Sequence, residues 1–202
     1  MIIDIVKSEA KKAAPYLSEG YVVAIPTETV MGLAVVFDNY DSYLKLNQIK
    51  NRPENKPYSL MVGNTNQIEK YAYVDERVKI LIDSFLPGPL TILLKAKDSV
   101  PSYVTHNSGI VGIRVPNNPF INRLFKEIDK PLLVPSANRS GELPLTKYLD
   151  VINEFKNELG YIVKIDAGGE LPSTIVDLTS DEIKIIREGL IKKEDILEVL
   201  NK

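Results

Sequence analysis

Short apolar runs of strand length alternate with amphipathic segments along the whole chain, and this alternation restricts the fold more than any other feature. Residues 21–25 form a continuous apolar run, of the kind found in strands that are buried on both faces, and residues 90–94 are predicted as another strand. Residues 75–86 and 146–159 carry apolar side chains at helical spacing. No repeat or linker is visible, so the pattern predicts one α/β (α+β) domain over residues 1–202.

Each of the two clear helical segments has one apolar face that we expect to point into the core. In residues 75–86 this face is formed by Val78, Leu81, Ile82 and Phe85. In residues 146–159 it is formed by Leu149, Ile152, Phe155 and Leu159.

Composition excludes several classes of protein and site. The chain has no cysteine, which excludes disulfides, thiolate metal sites and cysteine nucleophiles. A formal charge of −2, from 25 basic and 27 acidic residues, is unlike a protein that grips nucleic acid over a broad face. No apolar run approaches the roughly 18 residues of a membrane span, and no signal peptide is visible, so we expect a cytoplasmic protein without a membrane partner.

A stiff charged loop follows the helix predicted over residues 40–49. Lys50, Arg52 and Lys56 lie close together there, and Pro53 and Pro57 prevent a helix from continuing. Arginine suits bidentate contact with phosphate or carboxylate, and lysine supplies a mobile point charge, so this loop suits a ligand with several negative charges. The alternative is a solvated charged loop, which is the more common role of such a cluster.

Further polar groups lie at or near the ends of other predicted strands. Thr27 and Thr29 follow the strand over residues 21–25, where they predict a strand-to-helix turn with a threonine N-cap, or a hydroxyl offered to a ligand. Arg114, within an apolar strand, needs a partner, which is either a structural carboxylate or a ligand carboxylate. Ser136 and Asn138 follow another strand and form either an anion-binding nest or an ordinary turn.

The motifs of several common enzyme classes are absent. The sequence has no Walker A loop, no G-x-G-x-x-G and no G-x-S-x-G, and its single histidine excludes H-E-x-x-H zinc. His106, in a polar loop, is a candidate general base without a visible orienting carboxylate. The remaining cations and hydrogen-bonding groups suit a pocket for a polyanion plus a small polar molecule. They are Thr29, Lys50, Arg52, Lys56, Arg114, Ser136, Asn138, Ser173 and Arg187.

Seven short motifs occur in order between Ile25 and Gly189, and together they are highly specific. They are Pro26-Thr27-Glu28-Thr29-Val30-x-Gly32-Leu33, Lys50-x-Arg52-Pro53 with Lys56-Pro57, Pro87-Gly88-Pro89-x-Thr91, Val111-Gly112-Ile113-Arg114-Val115-Pro116, Pro135-Ser136-Ala137-Asn138-x-Ser140-Gly141, Ser173-Thr174-Ile175-Val176-Asp177 and Arg187-x-Gly189. In this order they resemble the YrdC-type L-threonylcarbamoyladenylate synthase family, in its short, single-domain form.

The resemblance implies both a fold and a reaction. The fold is a strongly twisted mixed β-sheet flanked by helices, with a large concave basic cavity. The reaction joins L-threonine, bicarbonate (or CO2) and ATP into threonylcarbamoyl-AMP and pyrophosphate. The product then serves N6-threonylcarbamoyladenosine modification of tRNA by a downstream transferase complex, with at most weak tRNA contact by this chain. Magnesium is expected with ATP, without dedicated protein ligands.

The resemblance also implies a role for each motif residue. The catalytic set is Lys50, Arg52, Ser136 and Asn138. The ATP-binding set is Arg52, Lys56, Ser136 and Arg187. The L-threonine-binding set is Thr29, Arg114, Val134 and Ser173. Two positions depart from the family pattern: Met31 stands where the family usually has tyrosine, and Met61 where larger relatives often have histidine.

Two alternatives remain open from the sequence. One is an RNA-binding or ribosome-maturation module that uses the same basic cavity, although the charge of −2 counts against it. The other is carbamoyl-adenylate handling from a different carbamoyl donor, as in hydrogenase maturation enzymes that contain a similar domain.

Overall fold

A mixed β-sheet runs through the computed structural model, which describes residues 2–52, 57–169 and 171–200. The helices are α1 (Ile2–Ser18), α2 (Tyr40–Lys50), α3 (Ile68–Tyr71), α4 (Glu76–Phe85), α5 (Ser102–Thr105), α6 (Pro119–Leu124), α7 (Tyr148–Phe155) and α8 (Lys193–Leu200), with a 3₁₀ turn at Thr65–Gln67. The strands are β1 (Val23–Ile25), β2 (Gly32–Val36), β3 (Ser59–Met61), β4 (Leu90–Lys95), β5 (Ile110–Arg114), β6 (Leu132–Leu133), β7 (Tyr161–Ile162), β8 (Thr174–Asp177) and β9 (Lys184–Arg187).

The nine strands found in the described residues form one sheet in the order β7-β1-β2-β6-β3-β5-β4-β8-β9. The pairs β1–β7, β3–β5 and β4–β8 are parallel, and the other neighbours are antiparallel. Like other sheets of this size it is twisted. The predicted α/β class and the mixed sheet flanked by helices are therefore confirmed.

Helices cover both faces of the sheet and create two apolar cores. Leu33 and Val35 of β2 point into one core, and Ala34 and Val36 point into the other. α1 packs against α6 over the second core, while α4 packs against α8. Burial of β1 and β2 on both faces explains why their sequences are continuous apolar runs rather than alternating ones.

The chain after β1 forms a hairpin turn, so the predicted strand-to-helix turn with a threonine cap was wrong. β2 pairs antiparallel with β1, with Ile25 opposite Gly32. The Thr27 hydroxyl donates to the carbonyl of Val30 at 2.7 Å, which stabilises the turn itself. The reason for the error is that the apolar run after the turn extends the sheet instead of starting a helix.

The buried face of α7 also differs from the prediction. Val151 and Phe155 are buried, whereas Leu149 is 56% and Ile152 is 37% exposed. Two residues four positions apart face the core, and the wider apolar face predicted from the sequence was wrong at Leu149 and Ile152. The face predicted for α4 is confirmed, because Val78 and Leu81 are buried and Ile82 and Phe85 pack against the core.

α1 accommodates a proline in its interior. It runs for 17 residues and contains Pro15. Its inward face of Ala10, Ala13 and Leu17 is fully buried, so tertiary packing outweighs the local cost of the proline. Within the described ranges, no helix is long and apolar enough to cross a membrane.

Candidate active site

A cavity of about 190 Å³ lies beside the polar ends of β3, β4, β5, β8 and β9. The turn after β1 and the segment after β6 complete its wall. Seven residues predicted from the sequence line it: Thr29, Arg52, Arg114, Val134, Ser136, Ser173 and Arg187. The structure therefore brings together side chains from six separate stretches of the chain.

Three guanidinium groups give the cavity wall its positive charge. Arg52, Arg114 and Arg187 all line it, and no carboxylate is among the lining residues that the structure describes. Guanidinium groups match the geometry of phosphate and carboxylate oxygens. The cavity is thus suited to a ligand, or a pair of ligands, with several negative charges.

Side chains of the turn after β1 hold Arg114 in the cavity wall. Its Nη2 donates to Glu28 Oε1 and to Thr29 Oγ1, both at 2.8 Å. Glu28 Oε2 and Arg114 Nε are buried and make no hydrogen bond among the described residues. The sequence left open whether Arg114 meets a structural or a ligand carboxylate, and the structure supplies the structural partner. Glu28 was not predicted as a site residue, although it lies inside a quoted motif.

Arg187 reaches the cavity across Ser173. Its Nε donates to the Ser173 carbonyl at 3.0 Å, and its Nη2 donates to the Ser173 hydroxyl at 3.1 Å. Burial of the guanidinium lowers the pKa of Arg187, and the nearby positive charge of Arg114 lowers it further. The Ser173 hydroxyl also lies 3.0 Å from that of Thr91. Thr91 was missed as a site residue, and its signal was its place in the Pro-Gly-Pro-x-Thr motif.

Lys50 lies behind the cavity wall and orders the segment after β6. It is 2% exposed, and its Nζ donates to the carbonyls of Ser136 at 2.5 Å and Asn138 at 2.7 Å. The Ser136 hydroxyl in turn donates to Asn138 Oδ1 at 2.5 Å. Burial, and then the charges of Arg52 and Arg139, lower the pKa of Lys50 to about 7. Lys50 and Asn138 therefore support Ser136 and do not line the cavity in this structure.

Arg139 anchors the helix that carries Lys50. Its guanidinium donates to the carbonyl of Ile49, to Glu154 at 2.9 Å and to Glu158 at 2.5 Å. The same group lies 4.7 Å from the ring of Phe155. The end of α2 is thereby tied to α7, which fixes the position from which Lys50 reaches Ser136.

Several other residues singled out in the sequence lie away from the cavity or outside the described part of the chain. His106 Nε2 lies 3.3 Å from the Tyr43 hydroxyl and does not line the cavity. Met31 and Met61 are buried in the two cores. Lys56, assigned to ATP, lies outside the described residues. In the described ranges, no group of three or more histidine, aspartate or glutamate side chains is placed to hold a metal.

Comparison with known proteins places this geometry in a family. The Sua5/YciO/YrdC model, described as telomere recombination, matches residues 15–189. A Methanocaldococcus jannaschii protein is 37% identical over 195 residues, which cover 94% of this chain and 92% of that protein. A Bacillus subtilis protein named threonylcarbamoyl-AMP synthase is 34% identical, with 94% of this chain and 56% of that protein covered.

A solved structure gives the same picture. Pyrococcus abyssi Sua5, complexed with L-threonine, superposes with a TM-score of 0.90 at 30% identity. The match covers 96% of this chain and 57% of that one. The chain thus spans a little over half the length of the longer relatives and nearly all of the Methanocaldococcus protein.

Proposed function

The chain belongs to the Sua5/YciO/YrdC family, and we propose that it is an L-threonylcarbamoyladenylate synthase. The reaction is the conversion of L-threonine, bicarbonate or CO2 and ATP into threonylcarbamoyl-AMP and pyrophosphate. The observation that carries the assignment is the convergence of three guanidinium groups with the hydroxyls of Thr29, Ser136 and Ser173 in one cavity. The L-threonine complex of the related Pyrococcus abyssi protein supports threonine as a substrate.

The chemistry needs positioning and charge stabilisation more than it needs a nucleophile. The threonine amine, once neutral, forms a C–N bond to CO2 and releases a proton, which gives a carbamate. A carbamate oxygen then bonds to the α-phosphorus of ATP, while the bond to the bridging oxygen breaks and pyrophosphate leaves. Fixed cations that offset charge on the transferring phosphate can supply most of such a barrier.

The structure suggests a division of the cavity between the two substrates. On the amino acid side, Arg114 would pair with the threonine carboxylate, and Thr29, Val134 and Ser173 would surround the rest of the molecule. The cavity volume of about 190 Å³ is below the roughly 300–1,000 Å³ of sites for drug-sized ligands, so it fits an amino acid better than a whole nucleotide.

On the nucleotide side, Arg52, Ser136 and Arg187 would face ATP. Lys56 would join them from outside the described residues. Lys50 and Asn138 would act by holding Ser136 in place, as their hydrogen bonds indicate. Magnesium would accompany ATP through phosphate oxygens and water, because the described lining contains no carboxylate to bind it directly.

The proposed product implies a downstream partner that consumes it. We expect the mixed anhydride to be consumed by a tRNA-modifying transferase complex in the cytoplasm, with at most weak tRNA contact by this chain. The net charge of −2 counts against the alternative of an RNA-binding module that uses the same cavity.

Incubation with ATP, L-threonine and bicarbonate tests the assignment, with mass spectrometry for the adenylate and an assay for pyrophosphate. We expect threonine-dependent pyrophosphate release by the wild-type protein and none by Arg52→Ala. Arg77→Ala is the matched control, because Arg77 pairs with Asp75 away from the cavity. An RNA-binding module would release no pyrophosphate, and another carbamoyl-adenylate chemistry would show no threonine dependence.

A further inference from the structure

Arg52 sits in a short connection whose backbone is fixed at the helix end. α2 ends at Lys50, and its C-cap residue Asn51 adopts a left-handed conformation with φ 49°. The amide of Arg52 then donates to the carbonyl of Asn47 at 3.0 Å. The backbone of Arg52 is therefore fixed, but its long side chain still has four rotatable bonds that packing must restrain.

The ring of Tyr58 lies under the Arg52 guanidinium and restrains it. The guanidinium carbon is 4.2 Å from the centroid of the Tyr58 ring, and Nη2 donates to the carbonyl of Pro57 at 2.8 Å. Stacking occupies one face of the guanidinium and leaves its N–H donors in the plane. The guanidinium is thus held flat against the ring at the cavity wall.

Tyr58 is itself fixed by the helix that leads to Arg52. Its ring is 2% exposed, and its hydroxyl donates to Asn47 Oδ1 at 2.5 Å. Asn47 therefore binds the Arg52 backbone with its carbonyl and the Tyr58 hydroxyl with its side chain. The ring also meets the edge of Tyr43 at 5.8 Å between centroids. Tyr58 thus belongs to the first core and also supports the Arg52 guanidinium.

We propose that Tyr58 is a positioning residue for the polyphosphate of the nucleotide, acting through the Arg52 guanidinium that stacks on its ring. This role rests on the proposed synthase function for its biological meaning, but the interaction itself is with any polyphosphate that Arg52 binds. Burial lowers the pKa of the Arg52 guanidinium, as expected for a cation that is partly withdrawn from water. The ring, and not the hydroxyl, carries the effect.

Two substitutions separate the effect of the Tyr58 ring from that of its hydroxyl. Tyr58→Phe keeps the ring and loses only the hydrogen bond to Asn47, so we expect it to bind ATP within about twofold of the wild type. Tyr58→Leu keeps an apolar side chain but removes the ring, and we expect ATP binding to weaken roughly 5- to 20-fold. Threonine KM should stay unchanged in both, because Thr29, Arg114 and Ser173 are untouched.

Calorimetric titration with ATP, and separately with inorganic tripolyphosphate, measures the effect in the wild type, Tyr58→Phe, Tyr58→Leu, Arg52→Ala and Arg52→Ala/Tyr58→Leu. We expect the loss caused by Tyr58→Leu to disappear in the Arg52→Ala background, because the ring acts through Arg52. Circular dichroism melting checks that each variant is folded, and Tyr58→Met replaces Tyr58→Leu if the latter is not.

The outcomes separate this role from the synthase assignment. Equal loss from Tyr58→Leu in the presence and absence of Arg52 would overturn the positioning role, as would wild-type affinity in Tyr58→Leu. A wild type that forms the adenylate while Tyr58→Leu binds normally leaves the function standing and removes the inference. If the wild type forms no adenylate, but its tripolyphosphate affinity depends on Tyr58 through Arg52, the positioning role stands and the synthase assignment falls.

Discussion

Arg114 and Glu28 form a nearly buried ion pair at the cavity wall, with Arg114 Nη2 2.8 Å from Glu28 Oε1. Their side chains are only 11% and 14% exposed. The Glu28 carboxylate therefore already neutralises the charge of Arg114, the residue assigned to the threonine carboxylate, before a ligand binds. Breaking such a pair is costly, since the remaining charge is left in a poorly solvated site.

Removal of Arg114 alone should therefore destabilise the protein as well as weaken threonine binding. We expect Arg114→Ala to lower the free energy of unfolding by about 3 kcal/mol, because Glu28 is left without its cation. Urea denaturation followed by circular dichroism measures this change. In the double variant Glu28→Gln/Arg114→Ala the stranded charge is gone, so part of the stability should return. A double variant no more stable than Arg114→Ala would contradict this account.

The buried ammonium of Lys50 should make stability depend on pH. Its pKa is about 7 in the folded protein and about 10.4 in an unfolded chain, so between these values the unfolded chain binds more protons. The free energy of unfolding should then rise with pH from 7 to 9, by at most about 1.4 kcal/mol per unit from this group. Urea denaturation at a series of pH values measures the rise.

Lys50→Met is the control for this effect. The difference between the unfolding free energies of the wild type and the variant isolates Lys50, because all other titrating groups are shared. Burial raises the pKa of Tyr103 to about 12, which keeps that group out of the window. Parallel curves for the two proteins would show that Lys50 keeps an ordinary pKa.

The hydroxyl pair of Thr91 and Ser173 should matter for threonine more than for ATP. Thr91→Val removes the 3.0 Å contact to Ser173 while keeping the volume. We expect the threonine KM to rise roughly 3- to 10-fold, as for the loss of one hydrogen bond, with little change in the KM for ATP. Steady-state pyrophosphate release measures both. Thr105→Val is the matched control, because its hydroxyl bonds to the Ser102 carbonyl outside the cavity.

Close packing at Gly189 should make an added methyl group harmful. A Cβ there would lie 2.2 Å from the Pro172 carbonyl oxygen and 2.8 Å from the Ser173 carbonyl carbon. We expect Gly189→Ala to cost about 3 kcal/mol of stability by overpacking against the backbone, and to lower activity by displacing Ser173. Chemical denaturation and the synthase assay measure the two effects.

Gly141→Ala provides the comparison for that experiment. Gly141 has a φ of +95° and no neighbouring atom within 4 Å of an added Cβ, so only backbone strain is introduced, at a cost of about 1 kcal/mol. Equal stability losses in the two variants would argue against a steric clash at Gly189.

Much of the candidate site follows from local sequence. Polar residues near the ends of apolar runs, such as Thr29, Ser136 and Ser173, lie in one cavity because strand ends meet at one edge of a sheet. The order of the motifs placed the arginines there as well. What local sequence could not give is the partner of each cation. Arg114 meets a carboxylate 86 positions away, and Lys50 meets carbonyls 86 and 88 positions away.

The errors in the fold have the same origin. Thr27 and Thr29 carry the chemistry of a helix cap, but the apolar run that follows them pairs with β1. Leu149 and Ile152 have helical spacing, but the depth to which α7 sinks into the core is set by its neighbours. Tyr58 precedes a strand and looks like any core aromatic, and only the position of Arg52 reveals its surroundings.

The scattered origin of the cavity wall has a consequence during protein synthesis. Arg187 belongs to β9, the last strand among the described residues, and it lies in the cavity wall with residues as early in the chain as Thr29. We therefore expect a nascent polypeptide to complete this cavity only after β9 has left the ribosome and paired with β8. A translation product that stops before β9 would lack the Arg187 part of the wall.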